Sequence, residues 1–114
     1  MNISVKLLQE NTRVKGFITG EIDAFTAPVL RERLAEIQLT ENLNIELNLK
    51  DVSYMDSTGL GVFVGFYKSV IASNSHLVLT GLSSRLKRLF DITGLGEIMD
   101  IQTASEEVKI DETV

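Results

Sequence analysis

Cysteine and tryptophan are absent from this chain of 114 residues, and proline occurs only once. Without cysteine the chain has no disulfide and no cysteine-based metal site, which is usual for proteins of the reducing cytosol. The longest nearly apolar stretch, residues 60–67, is far shorter than the roughly 20 residues of a membrane-spanning helix. The first residues alternate in polarity and lack the apolar core of a signal peptide. We therefore expect a cytoplasmic protein with no membrane partner.

Positive charge is also scarce, because 11 basic residues face 16 acidic ones and the net charge is −5. Nucleic-acid binding depends largely on neutralising phosphates, so we expect no nucleic-acid partner. Arg85, Lys87 and Arg88 form one local basic cluster. A solvated helix face is the simpler interpretation of this cluster, and steering of an acidic partner is the alternative.

The remaining composition, 44% hydrophobic and 24% charged, is typical of a globular protein. The length suits one domain over residues 1–114, large enough to bury a core without disulfides or metals. We expect the tail from about residue 104 to fray or to form a short helix.

The periodicity of apolar residues predicts the secondary structure. Alternation from Ile3 predicts a strand, and the short polar turn that follows permits only an antiparallel partner strand. Thr26 is the expected N-cap of the first helix, and Gly94 is placed to end the third in a left-handed conformation. The other expected elements are a strand over 13–19, a loop over 20–25, a helix over 27–38, a strand over 43–49, a loop over 51–56, a helix over 58–73, a strand over 77–80, a third helix capped by Ser83 or Ser84, and a strand over 98–101.

Strands and helices alternate from the second strand onward, which favours parallel strands joined by right-handed crossovers. The expected fold is α/β, with a mixed sheet of four to five strands, an N-terminal antiparallel hairpin and crossover helices. Functional loops of such sheets gather at the carboxyl ends of the strands. We therefore expect residues 20–25 and 51–59 to lie near each other.

The segment DVSYMDSTGLG, residues 51–61, leads from a strand into a helix. Ser57 occupies the expected N-cap position, where its side-chain oxygen can accept a hydrogen bond from a first-turn amide. Asp56 adds negative charge near the positive end of the helix dipole. On this local pattern alone, a plain capping serine is the simpler interpretation.

Three glycines in the first half of this helix point to a further role for Ser57. Gly59, Gly61 and Gly65 each cost about 1 kcal/mol relative to alanine in a helix interior. Gly59 and Gly61 are expected to leave the amides around Ser57 open to close approach by another group. Gly61 and Gly65 give a flat face that packs either internally against the sheet or externally against a partner.

Val62 and Phe66 lie outside the main apolar stripe of the same helix. Such a pair predicts a contact surface, and a helix buried on two sides is the alternative. The stripe that we assign to the core contains Leu60, Phe63, Val64, Tyr67 and Val70 or Ile71.

These features lead to a hypothesis of a phosphorylation switch at Ser57. Helix N-termini bind anions, and a phosphoryl group would add about −1.5 to −2 charges beside Asp56 and Asp23. A partner shaped for the neutral serine would then meet added bulk and like-charge repulsion. The switch would act on binding, with little change of fold.

The string YMDSTGLG, from Tyr54 to Gly61, closely resembles the phosphorylation motif of the anti-anti-sigma factors (anti-sigma factor antagonists), which are STAS domains. The string GEID at residues 20–23, followed by Pro28, resembles a second signature of that family. The resemblance covers nearly the whole chain, in order and spacing. It is closest to the antagonists of the general-stress sigma-B pathway in Gram-positive bacteria, and it implies a single STAS domain.

The resemblance also implies a mechanism. The unphosphorylated protein would bind an anti-sigma factor that is also a serine kinase, and would thereby free the sigma factor. That kinase, using ATP and magnesium, would phosphorylate Ser57 and end the interaction, and a PP2C-type serine phosphatase would restore it. Ser57 matches the phosphorylated serine, Asp23 matches a kinase contact, and Thr58 is a minor alternative acceptor. The expected partner-binding residues are Asp23, Asp56, Ser57, Thr58, Gly59, Gly61, Val62 and Phe66, with no cofactor or metal.

An enzymatic function agrees less well with the sequence motifs, and we expect no catalytic activity. The spacing of Gly59, Gly61 and Gly65 loosely imitates a dinucleotide-binding loop, but a fold built from two such halves would not fit in this chain. The chain has no G-x-S-x-G elbow of a serine hydrolase. Its single histidine, His76, precedes a strand.

Two non-enzymatic alternatives remain. A phospho-aspartate receiver would use Asp51 as its acceptor, but it also needs an acidic pair after the first strand, where this chain has only Gln9 and Glu10 in a turn. A STAS module that acts as a scaffold without phosphorylation is the other alternative.

Overall fold

The computed structural model describes residues 2–104. Five strands and three α-helices alternate after an initial hairpin, and a short 3₁₀ helix precedes the last strand. The strands are β1 (Ile3–Glu10), β2 (Arg13–Ile22), β3 (Asn44–Met55), β4 (His76–Leu82) and β5 (Asp100–Thr103). The helices are α1 (Ala27–Leu34), α2 (Ser57–Ala72), α3 (Ser84–Ile92) and the 3₁₀ helix Leu95–Glu97.

The strands form one sheet in the order β1-β2-β3-β4-β5. β1 and β2 pair antiparallel, and β3, β4 and β5 each pair parallel with the preceding strand. Asn11, with φ of 56°, adopts the left-handed conformation that lets the hairpin turn in so few residues. The expected α/β fold, with a mixed sheet, an N-terminal hairpin and crossover helices, is confirmed.

The hydrophobic core lies on one face of this sheet. Alternate residues of β2 and β3, such as Ile18, Leu47 and Leu49, are buried there, and Phe63 of α2 and Phe90 of α3 pack onto them. Each buried side chain of this kind contributes about 1.5–3 kcal/mol. The core thus fixes where the helices lie and leaves the loops at the carboxyl ends of the parallel strands open to solvent.

β2 and β3 are longer than their sequence patterns predict. They run to Ile22 and Met55, so parts of the two expected loops, 20–25 and 51–56, are strand. Opposite Phe17–Thr19, and again opposite Gly20–Glu21, β3 contains one extra residue. These two register shifts interrupt the alternation of buried and exposed residues along β3. A strand with such irregularities loses the period of two by which a sequence reveals it.

Helix α1 ends at Leu34, earlier than the expected end at residue 38. Backbone bonds from Glu36 to Arg33 and from Ile37 to Leu34, each 3.1 Å, tighten the chain into a turn. Ile37 is nevertheless buried, so its apolar spacing mimics a helix that has already ended.

The cap of α3 and the left-handed glycine behind it were predicted correctly. Ser83 accepts a hydrogen bond from the amide of Leu86 at 3.2 Å, and Gly94 has φ of 81°. The last strand spans Asp100–Thr103, where residues 98–101 were expected. The predicted tail beyond residue 104 lies outside the described residues.

Candidate functional site

The carboxyl ends of β2 and β3 bring the two expected loops together. Ile22 pairs with Met55 at the end of the parallel ladder, and the Asp56 amide donates to the Ile22 carbonyl at 3.1 Å. Residues 23–26 therefore lie beside residues 54–61, as predicted. These two segments together are named the Ser57 surface below.

Asp56, and not Ser57, is the N-cap of α2. Asp56 has extended backbone angles, φ −107° and ψ −173°, and its carboxylate accepts the amides of Thr58 at 3.0 Å and Gly59 at 3.2 Å. Ser57 is already the first helical residue. The prediction of Ser57 as the cap is wrong because an extended residue is needed to turn its side chain back onto the first-turn amides.

Ser57 is exposed, and neither its hydroxyl nor its amide makes a hydrogen bond within residues 2–104. Its hydroxyl therefore has no structural task in the described part of the chain. A phosphoryl group there would find one free amide, that of Ser57 itself, because the Asp56 carboxylate occupies the next two. The added charge would also lie beside that carboxylate, which increases the repulsion that a negatively charged partner group would meet.

Gly59 serves close packing, so the expectation that it keeps amides accessible is wrong. It is buried, and a Cβ at this position would overlap Cγ2 of Ile22 and approach Cγ of Met55 to 2.9 Å. Gly61 and Gly65 differ, because a Cβ on either would meet no atom within 4 Å from another segment of residues 2–104. The flat face that these two glycines form is therefore external.

Val62 and Phe66 are 5% and 9% exposed. α1 packs against this side of α2, so of the two alternatives that the sequence left open, the helix buried on two sides is the one observed. Both side chains nonetheless line the floor of a groove of about 310 Å³ between α1 and α2, which Gly61 and Gly65 also line. Their role in partner binding stays a prediction.

The Asp23 carboxylate organises the loop between β2 and α1. Its Oδ1 accepts the amides of Phe25 at 2.9 Å and Thr26 at 3.0 Å. The Thr26 hydroxyl donates to the Glu21 carbonyl at 2.8 Å and accepts the Asp23 amide at 2.9 Å. Thr26 is the N-cap residue of α1, as predicted, but its hydroxyl closes the loop and makes no capping bond to the helix.

These bonds also act on the ionisation of Asp23. The backbone amide of Thr26, and after it that of Phe25, lowers the pKa of this carboxyl below its ordinary value, against the opposing effect of desolvation. Hydrogen bonds to the charged form favour it. Asp23 therefore presents a negative charge beside Ser57 in a conformation fixed by the backbone.

Three exposed apolar residues near this end of the sheet escaped the sequence patterns. Phe25 is 76% exposed, Tyr54 49% and Val29 44%. Single exposed apolar residues are common on protein surfaces, but aromatic residues are enriched at interfaces. The signal available in the sequence was an aromatic residue inside each of the polar segments GEIDAF and DVSYMDS.

His76 is the first residue of β4, so it lies at the amino ends of the parallel strands, whereas Ser57 follows the carboxyl end of β3. It pairs with Asp100 across 3.0 Å, so this histidine is not positioned as a base for Ser57. Among residues 2–104, no cluster of three or more His, Cys, Asp or Glu side chains is arranged to hold a metal ion. No helix in the same range has the length and apolarity to cross a membrane.

Comparisons with known proteins agree with this architecture. The STAS domain family matches residues 8–109. The anti-sigma-B factor antagonist of Listeria monocytogenes is 50% identical, over 95% of this chain and 96% of the relative. The anti-sigma-B factor antagonist of Bacillus subtilis is 52% identical, over 93% of this chain and 96% of the relative.

Among solved structures, the anti-sigma factor antagonist SpoIIAA in its unphosphorylated form superposes with a TM-score of 0.66. It is 21% identical, and the match covers 96% of this chain and 97% of that one. At this identity the likeness shows the fold alone. The family match over most of the chain and the two relatives above 30% identity go further, and this chain belongs to the STAS domain family.

Proposed function

We propose that this protein is a cytoplasmic anti-sigma factor antagonist. In this proposal the unphosphorylated form binds an anti-sigma factor that is also a serine kinase, and the sigma factor is released. Two relatives with the name anti-sigma-B factor antagonist support it, since they are 50% and 52% identical and align over nearly their whole length. The alignments thus cover nearly the whole of this chain as well as of both relatives.

Phosphorylation of Ser57 by the bound kinase, with ATP and magnesium as its own requirements, is the proposed off-switch. The observation that carries this proposal is the exposed Ser57 hydroxyl, which has no hydrogen-bond partner within the described residues. Because Asp56 caps the helix, a phosphoryl group on Ser57 would alter the surface and leave the first turn of α2 in place. A PP2C-type serine phosphatase would remove the group and restore binding.

The proposed binding surface centres on Ser57 and the exposed Thr58 beside it. Asp23 adds negative charge at the rim, and Gly61 extends the surface along α2. Asp56 and Gly59 act indirectly in this proposal, because one caps the helix and the other allows its close packing. Val62 and Phe66 would take part only through the floor of the groove beside α1.

The test is to map phosphorylation by mass spectrometry after incubation with ATP, magnesium and the cognate anti-sigma factor, beside Ser57→Ala and Thr58→Ala variants. We expect one phosphate on Ser57, absent from Ser57→Ala and retained in Thr58→Ala. Calorimetry should then show a loss of affinity on phosphorylation of roughly 100-fold, about 3 kcal/mol.

A phosphate at another position would refute the assignment of Ser57. Unchanged affinity after phosphorylation would refute the off-switch and favour a STAS scaffold that works without phosphorylation. Absence of any complex with the unphosphorylated chain would refute the antagonist function itself.

A further inference from the structure

A second concave surface adjoins the Ser57 surface at the carboxyl ends of β3 and β4. It is an open depression of about 550 Å³ at the start of α3, lined by Val52, Ser53, Ser83, Ser84, Arg85 and Arg88. Its position between the end of β3 and the N-terminus of α3 follows from the parallel pairing of β3 with β4. Nothing in the proposal for Ser57 uses it.

The two arginines of this depression have no ion-pair partner in the described part of the chain. Arg85 and Arg88 are exposed, and within residues 2–104 no carboxylate lies within ion-pair distance of either. Lys87, on the same helix, differs because it binds Asp91 at 2.9 Å. Within residues 2–104 the depression therefore presents two guanidinium groups without a carboxylate partner, on a chain whose net charge is −5.

Two exposed apolar residues, Tyr54 and Ile92, form a strip between these arginines and the Ser57 surface. A smaller adjoining depression of about 260 Å³ is lined by Arg85 and Arg88 and also by Tyr54 and Ile92. Tyr54 is 49% exposed and Ile92 75%. Tyr54 precedes Ser57 by three residues, which span at most about 10 Å of extended chain.

We propose that the α3 depression, together with Tyr54 and Ile92, docks an acidic segment of the anti-sigma factor partner that carries an apolar side chain. This inference rests on the function proposed above. Arginine forms bidentate bonds with carboxylates and is enriched at interfaces together with tyrosine. The two guanidinium groups therefore select carboxylates, and the apolar strip selects the neighbouring side chain.

The size of a stable interface supports the same partner for both surfaces. A specific interface of standard size takes roughly 20–30 residues from each side, which is more than the Ser57 surface contains. An interface that extends from the Ser57 surface to the α3 depression is larger and continuous, because Tyr54 belongs to the Ser57 surface and also lines the adjoining depression.

The experiment compares the double variant Arg85→Glu/Arg88→Glu with Arg13→Glu/Lys15→Glu as full-length chains. Arg13 and Lys15 are also exposed and lie at the amino end of β2. The second variant therefore has the same change of charge at the opposite end of the parallel strands. Affinity for the anti-sigma factor is measured at low and moderate salt. We expect a roughly tenfold or greater loss and a weaker salt dependence for the first variant only.

Equal affinities of the first variant and the unaltered protein would overturn the inference and leave the proposed function intact. A change confined to the rate of dephosphorylation would assign the depression to the phosphatase and would also overturn it. Failure of the unaltered chain to bind would instead refute the proposed function. Thermal unfolding verifies that each variant folds. If Arg85→Glu/Arg88→Glu does not fold, Arg85→Ala/Arg88→Ala is measured in its place.

Discussion

On the inner side of helix α2, Gly59 lies against Ile22 and Met55, whereas on the outer side Gly61 and Gly65 face open space. The inner glycine is required because the helix begins directly above the ends of β2 and β3, with no room for a methyl group. The outer glycines have no such steric need, yet each costs helix stability. Within one helix, packing therefore requires the glycine on the inner side, whereas packing within residues 2–104 does not require the glycines on the outer side.

The largest effect on stability should come from Gly59→Ala. The added methyl would overlap the branched side chain of Ile22, and overpacking of this kind costs about 1–3 kcal/mol. Urea unfolding of Gly59→Ala beside Gly61→Ala measures the difference between the two sides. If Gly59→Ala were as stable as the unaltered chain, the start of α2 would accommodate a methyl group without cost. That result would contradict the steric difference between the two sides of α2.

The next effect concerns the cap of the same helix. Asp56→Ala removes the acceptor of the Thr58 and Gly59 amides and should cost about 1 kcal/mol. Asp56→Asn keeps a side-chain oxygen and should cost only a few tenths, because asparagine caps helices about as well as aspartate. Ser57→Ala should leave unfolding unchanged in the same measurement. Destabilisation by Ser57→Ala equal to that by Asp56→Ala would contradict the assignment of the cap.

On the outer side, Gly61→Ala and Gly65→Ala should each stabilise the protein by up to about 1 kcal/mol, since alanine is the better helix former and no atom opposes its Cβ. If the flat face docks a partner, the same variants should weaken binding while they raise the free energy of unfolding. Stabilised variants with undiminished affinity would show that this face is not part of the interface.

The smallest effect should be the dependence of the Asp23 loop on pH. The amides of Thr26 and Phe25 lower the pKa of Asp23 in the folded state. A lowered folded-state pKa means that the stabilisation is complete above the unfolded pKa, about 3.9, and is lost as the pH falls through the folded value. NMR titration of the Asp23 carboxyl, with Asp23→Asn as the uncharged control, measures this. A pKa at or above the ordinary value would contradict the hydrogen bonds.

The order of elements and the pairing of strands were predictable because they depend on local periodicity and loop length. The short turn after β1 permits only an antiparallel hairpin, and the alternation of strands and helices favours parallel pairs. The proximity of the loops 20–25 and 51–59 was predictable because both follow the carboxyl ends of neighbouring parallel strands. Ser57 stood out in the sequence through its glycine-rich setting, and the structure leaves its side chain exposed.

The errors come from contacts between distant segments. The register shifts in β3 depend on its pairing with β2, and the burial of Val62 and Phe66 depends on α1 lying across α2. The role of Gly59 depends on Ile22, a residue far away in sequence. The choice of Asp56 over Ser57 as cap depends on backbone angles at the end of β3, which neighbouring residue types do not reveal.

The separation of the cap from the exposed serine has an evolutionary consequence. Because Asp56 holds the first turn of α2, folding places little restriction on the residue at position 57, whereas position 59 is restricted by steric packing. Variation among relatives at position 57 would then record selection on recognition alone, and variation at position 59 selection on the fold. These two positions, two residues apart, form a natural pair for separating the two kinds of constraint within one family.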